Sequence, residues 1–268
     1  MRRDKMSFRY TEAIVCRLPD SFPDNNIDLL KCRIEFENFV TILRETGLDV
    51  IELPPPDEPG QSSFVGDVCF IVNGMAVIKR PKPDQIEVTT MIRTVLRKEL
   101  DIPVVEIAED GVNLEGADIL FTGRELFVGL SNYTNEAGAL FMANAFPEFP
   151  CSPVKVPGGK HLTHYVSMAS PDVMTVGACK ESQDIIKRIE RKASYRYEKI
   201  TMTSPEHSPV IMSVNGSIIH FPTEEKIYAD KLRSMVKCPT ELNELTKMDV
   251  NFNRLTVLLN KARIKSFV

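Results

Sequence analysis

The chain has 268 residues, of which 43% are hydrophobic and 26% are charged, and both values are typical of a folded globular protein. The net charge of −4 comes from 33 basic and 37 acidic residues that are mixed along the chain without a basic stripe, so nucleic acid is not an expected partner. Residues 1–20 lack the apolar core of a signal peptide and no apolar run is long enough for a membrane helix, so we expect a cytoplasmic protein that does not bind membranes.

The N-terminal region predicts a strand, a helix and a second strand. AIVCRL (13–18) and DVIELP (49–54) are short apolar runs with the length and composition of strands. The segment between them, 28–46, has the apolar periodicity of a helix. This region lacks one strand of the unit that repeats in the rest of the chain.

Three later segments predict β-hairpins, because each has a short turn signal between two apolar runs. A fourth segment is a weaker example. The four are VCFIVNGMAVIKR (68–80) with a type I′ turn at Asn73-Gly74, ADILFTGRELFVGLS (117–131) at Thr122-Gly123, PVIMSVNGSIIHF (209–221) at Asn215-Gly216, and the weaker YVSMASPDVMTVGA (165–178) around Pro171-Asp172.

Each hairpin is followed by a helical pattern and then a lone strand, so the chain contains a repeat of two strands, a helix and a strand. The turn centres lie at 74, 123, 171 and 216, at steps of 49, 48 and 45 residues. The predicted helix and strand pairs are 85–100 with 103–108, 135–145 with 153–157, 181–194 with 199–203, and 225–236 with a C-terminal strand near 254–261.

The repeat predicts an α/β fold: a five-bladed α/β-propeller of ββαβ units around a central channel. The N-terminal region would complete the fifth unit if its first strand paired with the C-terminal strand, which would close the ring and protect the sheet edges. We therefore expect residues 1–268 to form a single domain. An open mixed sheet with two lobes is the alternative. In a closed ring, functional residues are expected on the loops around the channel.

The six cysteines form no CxxC pair and no metal-ligand spacing with histidine, so we expect reduced thiols that act as small buried residues. Neither a P-loop nor a GxGxxG motif occurs at a strand-to-helix junction. We expect no cofactor and no metal. His161 follows a Pro-Gly-Gly turn and precedes an apolar strand, a position that suits a general base.

Several motifs resemble those of the dimethylarginine dimethylaminohydrolases, which belong to the guanidine-modifying (pentein) superfamily and form five-bladed α/β-propellers. The resemblance covers nearly the whole chain. It is carried by IVCRLPDSF (14–22), GLDVIELPPPDE (47–58), LEGADILFTGRELFVGLSNYTNEAGA (114–139), HLTHYVSM (161–168) and KMDVNFNRLTVLLNK (247–261).

The resemblance implies a covalent mechanism. In this family a cysteine thiolate attacks the guanidinium carbon of methylated arginine and expels a methylamine, and a histidine activates the water that releases citrulline. In this chain His161 matches that histidine, and Glu115 matches the acidic residue that orients it and contacts the guanidinium. Asp118 and Arg124 also match, and they are as compatible with a role in holding the hairpin.

The substrate-binding residues match the family only in part. Asp67 in FVGDV is kept, but Gly66 replaces a glutamate that would grip the guanidinium. Tyr133 replaces an arginine that would bind the substrate carboxylate, and a hydroxyl cannot supply a charged fork. Gln61 falls near the position of an aspartate that serves the amino-acid end of the substrate, and Phe22 lies in a matching substrate-binding segment.

The largest departure is that Arg254 occupies the position of the catalytic cysteine. A guanidinium cannot act as a nucleophile at neutral pH. The nearest cysteine in sequence, Cys238, lies 16 residues upstream, at what we expect to be a helix end. We hypothesise that Arg254 fills the pocket by pairing with Glu115 or Asp67.

The sequence therefore predicts a dimethylarginine dimethylaminohydrolase-like protein that is catalytically inactive and has a binding or regulatory role. Its partner would be a small amino-acid-like ligand or another protein. Two alternatives stay open: an active amidine hydrolase with a non-standard nucleophile, and a protein-interaction scaffold whose channel is filled.

Overall fold

The computed structural model describes residues 9–20, 26–58, 60–202, 210–222 and 232–260. Within these residues the chain forms five three-stranded β-sheets. Each sheet has one antiparallel and one parallel pair of strands. This is the strand pattern of the ββαβ unit, so the predicted α/β fold built from five such units is confirmed.

The first sheet joins the two ends of the described chain. Its strands lie in the spatial order β15 (Thr256–Leu259), β1 (Glu12–Cys16) and β2 (Asp49–Leu53). β1 is antiparallel to β15 and parallel to β2. The crossover from β1 to β2 is α1 (Leu29–Glu45), which begins after Asp28 because the Asp28 carboxylate accepts a hydrogen bond from the first turn.

In each of the other four sheets, a hairpin is followed by a strand parallel to its second strand. The strands are β3 (Cys69–Val72), β4 (Met75–Ile78) and β5 (Val104–Glu106); β6 (Ile119–Phe121), β7 (Leu126–Leu130) and β8 (Cys151–Lys155); β9 (Val166–Ser170), β10 (Val173–Gly177) and β11 (Glu198–Met202); β12 (Ile211–Val214), β13 (Ser217–His220) and β14 (Val236–Pro239).

Three crossover helices of these units lie in the described residues. They are α3 (Ile86–Thr94), which continues as a π-helical turn (Val95–Glu99), α4 (Glu136–Ala145) and α6 (Lys180–Lys192). Their apolar faces pack on the sheets: Ile92 of α3 is fully buried in one core cluster with Ile14 of β1 and Val257 of β15. Each helix therefore also helps to hold neighbouring units together.

The turn chemistry explains the hairpins. Asn73 and Gly74 both have positive φ, as do Asn215 and Gly216, which gives the type I′ turns that Asn-Gly pairs favour. The β6–β7 hairpin has a longer turn over 122–125, in which the Thr122 N–H donates to the Glu125 carbonyl.

Two predicted elements differ from the structure. The strand that completes the β12–β13 unit is β14 and not the strand near 254–261, which pairs with β1 instead. Cys238 lies in β14 rather than at a helix end. Most of the helix predicted over 225–236 lies outside the described residues, and Val236 already belongs to β14.

Single helical turns precede the outer antiparallel strand in four of the five sheets, and we call this strand the first strand of its sheet. They are α2 (Val65–Val68) before β3, the 3₁₀ turn Gly116–Asp118 before β6, α5 (Leu162–Tyr165) before β9, and the turn Phe252–Leu255 before β15. Two further short turns, Pro83–Gln85 and Asn243–Thr246, lie outside this pattern. These turns carry Gly66, Asp67, Asp118 and Arg254, and two of them begin directly after Glu115 and His161.

A central cavity of about 1200 Å³ lies between the sheets. All five first strands, β3, β6, β9, β12 and β15, contribute to its lining, so the sheets surround it. At one end the cavity meets residues from the four turns: Gly66, Gly116, Thr163 and Asn253. No helix within the described ranges is long and apolar enough to cross a membrane.

Candidate functional site

Three of the four single turns, those at 65–68, 116–118 and 252–255, pack tightly against one another through glycine. A Cβ on Gly66 would lie 1.8 Å from the Asn253 carbonyl oxygen, and a Cβ on Gly116 would lie 2.0 Å from the Gly66 carbonyl oxygen. Only residues without a side chain allow this approach. The turns therefore form a floor at this end of the cavity. Gly66, Gly116 and Asn253 line the cavity, whereas Asp67, Glu115 and Arg254 do not.

Arg254 and Asp67 form a two-pronged ion pair across this floor. Arg254 Nε donates to Asp67 Oδ1 at 2.8 Å, and Nη2 donates to Oδ2 at 2.6 Å. The side chain of Arg254 is 15% exposed and that of Asp67 is 4% exposed, so the pair is largely removed from water. The sequence suggests either Glu115 or Asp67 as the partner of Arg254, and the structure shows that the partner is Asp67.

The rest of the Arg254 side chain is also held. Nη1 donates to the Asp249 carbonyl at 3.0 Å, and the guanidinium lies 5.0 Å from the centre of the Phe64 ring. Burial disfavours the charged form, but the charge and hydrogen bonds of Asp67 outweigh burial and raise the pKa of Arg254 above its ordinary value. Arg254 is therefore a permanent, immobilised cation.

Glu115 is held by two lysines that the sequence interpretation missed. The Nζ atoms of Lys79 and Lys82 each lie 2.7 Å from Glu115 Oε1. Lys79 and Glu115 are buried, whereas the Lys82 side chain is 53% exposed. Burial lowers the pKa of Lys79, and Glu115 only partly offsets this. Burial also acts to lower the pKa of Lys82, but there the contact with Glu115 prevails and raises it.

The two lysines follow the β3–β4 hairpin in the segment IKRPK (78–82). That segment looks like an ordinary solvated basic stretch, since nothing local points to Glu115, which is more than thirty residues away in sequence. The one local sign that Lys79 is buried is its position directly after β4, a largely buried strand.

His161 lies beneath Tyr133. The two rings stack with centroids 4.2 Å apart and planes 19° from parallel. The Tyr133 hydroxyl donates to the Gly159 carbonyl at 3.3 Å, and Lys82 Nζ lies 5.6 Å from the centre of the Tyr133 ring. His161 is 7% exposed. The predicted base therefore packs against Tyr133, and its buried Nε2 has no hydrogen-bond partner among the described residues.

Asp118 is a scaffold residue in this arrangement. It accepts hydrogen bonds from the hydroxyls of Ser131 and Thr134 and from the Leu162 N–H, at 2.6, 2.8 and 2.9 Å. Burial raises the pKa of its carboxyl, against the opposing effects of His161 and these donors. By fixing Leu162, Asp118 positions the α5 turn that begins right after His161.

The other predicted residues are spread more widely. Gln61 donates to the Pro83 carbonyl at 3.0 Å, and its Oε1 is buried without a partner among the described residues. Arg124 forms an ion pair with Asp172 on the cavity side, away from the charged groups. Phe22 lies outside the described residues. Gly66 offers no charge and, as described, no room for one.

Asp249 connects the Arg254 turn to the His161 loop. Its carboxylate lies 2.9 Å from Lys160 Nζ and 3.6 Å from His164 Nδ1, while its carbonyl accepts from Arg254. Its φ of 60° is rare for a residue with a side chain. The pKa of His164 is lowered by burial, and Asp249 partly counters that effect.

Comparisons with known proteins agree with this architecture. No family model matches the chain. The human protein named "Putative hydrolase DDAH2" is 28% identical, with 94% of this chain and 95% of the relative covered. The N(G),N(G)-dimethylarginine dimethylaminohydrolase of Streptomyces coelicolor is 30% identical, with 63% of this chain and 64% of that enzyme covered.

Among solved structures, a cysteine-to-serine mutant of the dimethylarginine dimethylaminohydrolase (DDAH) of Pseudomonas aeruginosa, complexed with citrulline, matches with a TM-score of 0.75. It is 20% identical, and the match covers 94% of this chain and all of that one. Five ββαβ units around a cavity define the pentein fold, and this chain has that fold. In sequence it is similar to members of the dimethylarginine dimethylaminohydrolase family.

Proposed function

We propose that this chain is a non-catalytic member of the dimethylarginine dimethylaminohydrolase family that uses the site for binding rather than for hydrolysis. The observation that carries the proposal is the two-pronged pair between Arg254 and Asp67. A guanidinium that belongs to the protein itself takes up a carboxylate, that of Asp67, which the resemblance places among the substrate-binding residues. The fork is the geometry with which a bound arginine would be recognised.

The second carboxylate of the site, that of Glu115, is also paired with groups of the protein itself. Glu115 faces two ammonium groups, and a cationic substrate would have to displace them. Arg254 adds a fixed positive charge close by, and like charges in a partly desolvated site repel strongly. Both acidic groups that would attract methylated arginine are therefore neutralised from within the protein.

Five of the six cysteines are poor replacement nucleophiles. Burial raises the pKa of Cys16 to about 12 and those of Cys32 and Cys151 to about 11, and it also raises the pKa values of Cys69 and Cys238. Such thiols are protonated at neutral pH, and the thiolate is the reactive form. Cys179 is exposed at the start of α6, where it contacts Ser182.

One observation favours a second candidate, an amidine hydrolase in which His161 activates water directly. The free Nε2 of His161 is what a general base requires. This reaction would lack the covalent step, and the substrate would still meet the charge of Arg254.

The test is to incubate the purified protein with asymmetric dimethylarginine and to quantify citrulline, beside Arg254→Cys and Arg254→Ser variants. We expect no citrulline from the native chain or from Arg254→Ser, since neither has a thiolate at position 254. Citrulline from Arg254→Cys alone would support the proposal that only the nucleophile is missing. Citrulline from the native chain would refute it and favour the His161 mechanism.

A purely structural role as an interaction scaffold is the third candidate. A panel of small metabolites would then leave the melting temperature unchanged, because only a ligand that binds the folded state raises it. A saturable shift with any member of the panel would favour a binding site over a scaffold.

A further inference from the structure

We infer that the ring of Tyr133 is a side-chain lid, which closes His161 off from solvent and opens by rotating on a backbone that stays fixed. The inference rests on the proposed binding function and adds how access to the site is controlled. It gives Tyr133 a role of its own, different from that of the arginine that the resemblance places at position 133.

The first step is the cover over His161. The Tyr133 and His161 rings stack with centroids 4.2 Å apart and planes 19° from parallel, so one face of the imidazole lies against the tyrosine ring. Tyr133 is 37% exposed, whereas His161 is 7% exposed, so the tyrosine is the partner that faces solvent. A ligand or a water molecule that approaches His161 from this side must first displace the Tyr133 ring.

The second step is the backbone that carries the lid, which is held on both sides of Tyr133. The hydroxyls of Ser131 and Thr134 both donate to Asp118 Oδ2, at 2.6 and 2.8 Å. The Thr134 hydroxyl also accepts from the Glu115 N–H at 3.0 Å. Asp118 and Thr134 are buried, and hydrogen bonds that are shielded from water are stronger than exposed ones, so the turn that carries Tyr133 is held in place.

The third step is that the same carboxylate also holds the segment that carries His161. Asp118 Oδ1 accepts from the Leu162 N–H at 2.9 Å, and Leu162 directly follows His161. One buried carboxylate therefore ties the turn that carries Tyr133 to the turn that begins after His161. Moving the two backbones apart would leave this carboxylate without part of its hydrogen bonds, which is costly in a buried position. The opening motion therefore belongs to the side chain of Tyr133.

The fourth step is that weak contacts hold the Tyr133 side chain. Its hydroxyl donates to the Gly159 carbonyl at 3.3 Å, which is long for a bond whose usual length is about 2.7–2.8 Å. Lys82 Nζ lies 5.6 Å from the centre of the Tyr133 ring, close to the limit of about 6 Å for a cation–π contact. Side chains that are exposed change rotamer within nanoseconds, so a partly exposed ring with these contacts can open.

The experiment measures how fast diethylpyrocarbonate, which acylates accessible imidazole nitrogens, modifies His161 in the whole protein at neutral pH. Trypsin releases residues 161–180 as one peptide that carries both His161 and His164, and fragmentation in the mass spectrometer assigns the label to one or the other. His164 is the internal reference, because its side chain is 33% exposed. In the native chain we expect His161 to react more slowly than His164.

Tyr133→Ala is the test variant. It should raise the ratio of the His161 rate to the His164 rate at least about tenfold, because the minor state of a two-state element is populated at about 10% or less. Tyr133→Phe keeps the stacked ring and should keep the native ratio. Tyr195→Ala is the matched control and should leave the ratio unchanged, because Tyr195 is another exposed tyrosine beside a cation, Arg124, but lines the cavity.

Tyr133→Leu also lacks the ring and should raise the same ratio, so it takes the place of Tyr133→Ala if that variant does not fold. The inference is overturned if a folded variant without the ring keeps the native ratio, if Tyr133→Phe or Tyr195→Ala raises the ratio as much as Tyr133→Ala, or if His161 of the native chain reacts as fast as His164.

No substrate enters this measurement, so its result is separable from the assay of the proposed function. A native chain that forms citrulline refutes the proposed function whatever the rates of modification are. An unchanged ratio in Tyr133→Ala refutes only the lid.

Discussion

The site contains two buried carboxylates, and the protein neutralises the charge of each in a different way. Asp67 is paired with one guanidinium in a planar fork, with both partners largely removed from water. Glu115 is paired with two ammonium groups, one buried and one half in solvent. The first pair has matched geometry with both partners largely removed from water, while the second keeps one ammonium group half exposed. One region is therefore closed to solvent, and the other is partly open to it.

The largest effect is expected where the closed region is broken. Arg254→Ala leaves Asp67 buried without its partner, which should cost about 3–5 kcal/mol of unfolding free energy. Urea unfolding measures the change. Arg17→Ala is the control, since Arg17 forms an exposed ion pair with Glu52 and should cost under about 1 kcal/mol. Equal losses of unfolding free energy in the two variants would mean that the buried Arg254–Asp67 pair stabilises the fold no more than an exposed ion pair does.

A smaller effect is expected at the contact between the turns. Gly66→Ala places a methyl group 1.8 Å from the Asn253 carbonyl oxygen, so the backbone must move. Overpacking of this kind costs about 1–3 kcal/mol. Gly159→Ala, where no atom lies within 4 Å of the added Cβ, should be tolerated. A thermal melt of Gly66→Ala that matches Gly159→Ala would contradict this account of the floor.

The open region should respond less strongly than the closed one. Glu115→Gln keeps the shape of the side chain but removes the charge that offsets Lys79, at a cost of about 1.5–3 kcal/mol for the lost charged hydrogen bonds. Adding Lys79→Met to Glu115→Gln should recover part of that stability, because the unpaired buried charge is then gone. If the double variant is as unstable as the sum of the single changes, the pair is not coupled.

The smallest effect is a pH dependence at the boundary between the two regions. The pKa of His164 in the folded state lies below its ordinary value because of burial. The unfolded state therefore binds more protons once pH falls below about 6.5, and folded stability is lost on acidification. His164→Gln should lose less stability than the native chain between about pH 7.5 and about pH 5.5.

His220 acts in the same direction, because burial lowers its pKa as well, so some pH dependence should persist in His164→Gln. A matched His220→Gln variant separates the two contributions in the same urea series. A native chain that gains stability on acidification over this range would show that the sign is wrong.

Local signals predicted most of the fold. Type I′ turns require positive φ at both central positions, and Asn-Gly pairs adopt it readily. The hairpins at 73–74 and 215–216 could therefore be located from sequence. β14 was missed because VKCP is largely exposed and has neither alternation nor an apolar run. The single turns were missed because four residues are too few to show helical periodicity.

The site was predicted only in part, for a different reason. Arg254 could be placed by the resemblance, but the choice between Asp67 and Glu115 depends on packing between distant turns. The same holds for Lys79 and Lys82, whose partner comes from another unit. Motifs identify residue types along one segment, whereas ion pairs form across segments.

The position of β1 has a consequence for how the protein is made. β1 is the central strand of its sheet, and one of its two neighbours, β15, lies at the far end of the described chain, with Ile14 opposite Val257. On the ribosome β1 is made before β15, so that edge of β1 stays uncovered until the residues between the two strands have been made. Contacts of such long range slow folding and leave a strand edge exposed meanwhile. Until β15 is made, the uncovered edge of β1 can pair with other strands.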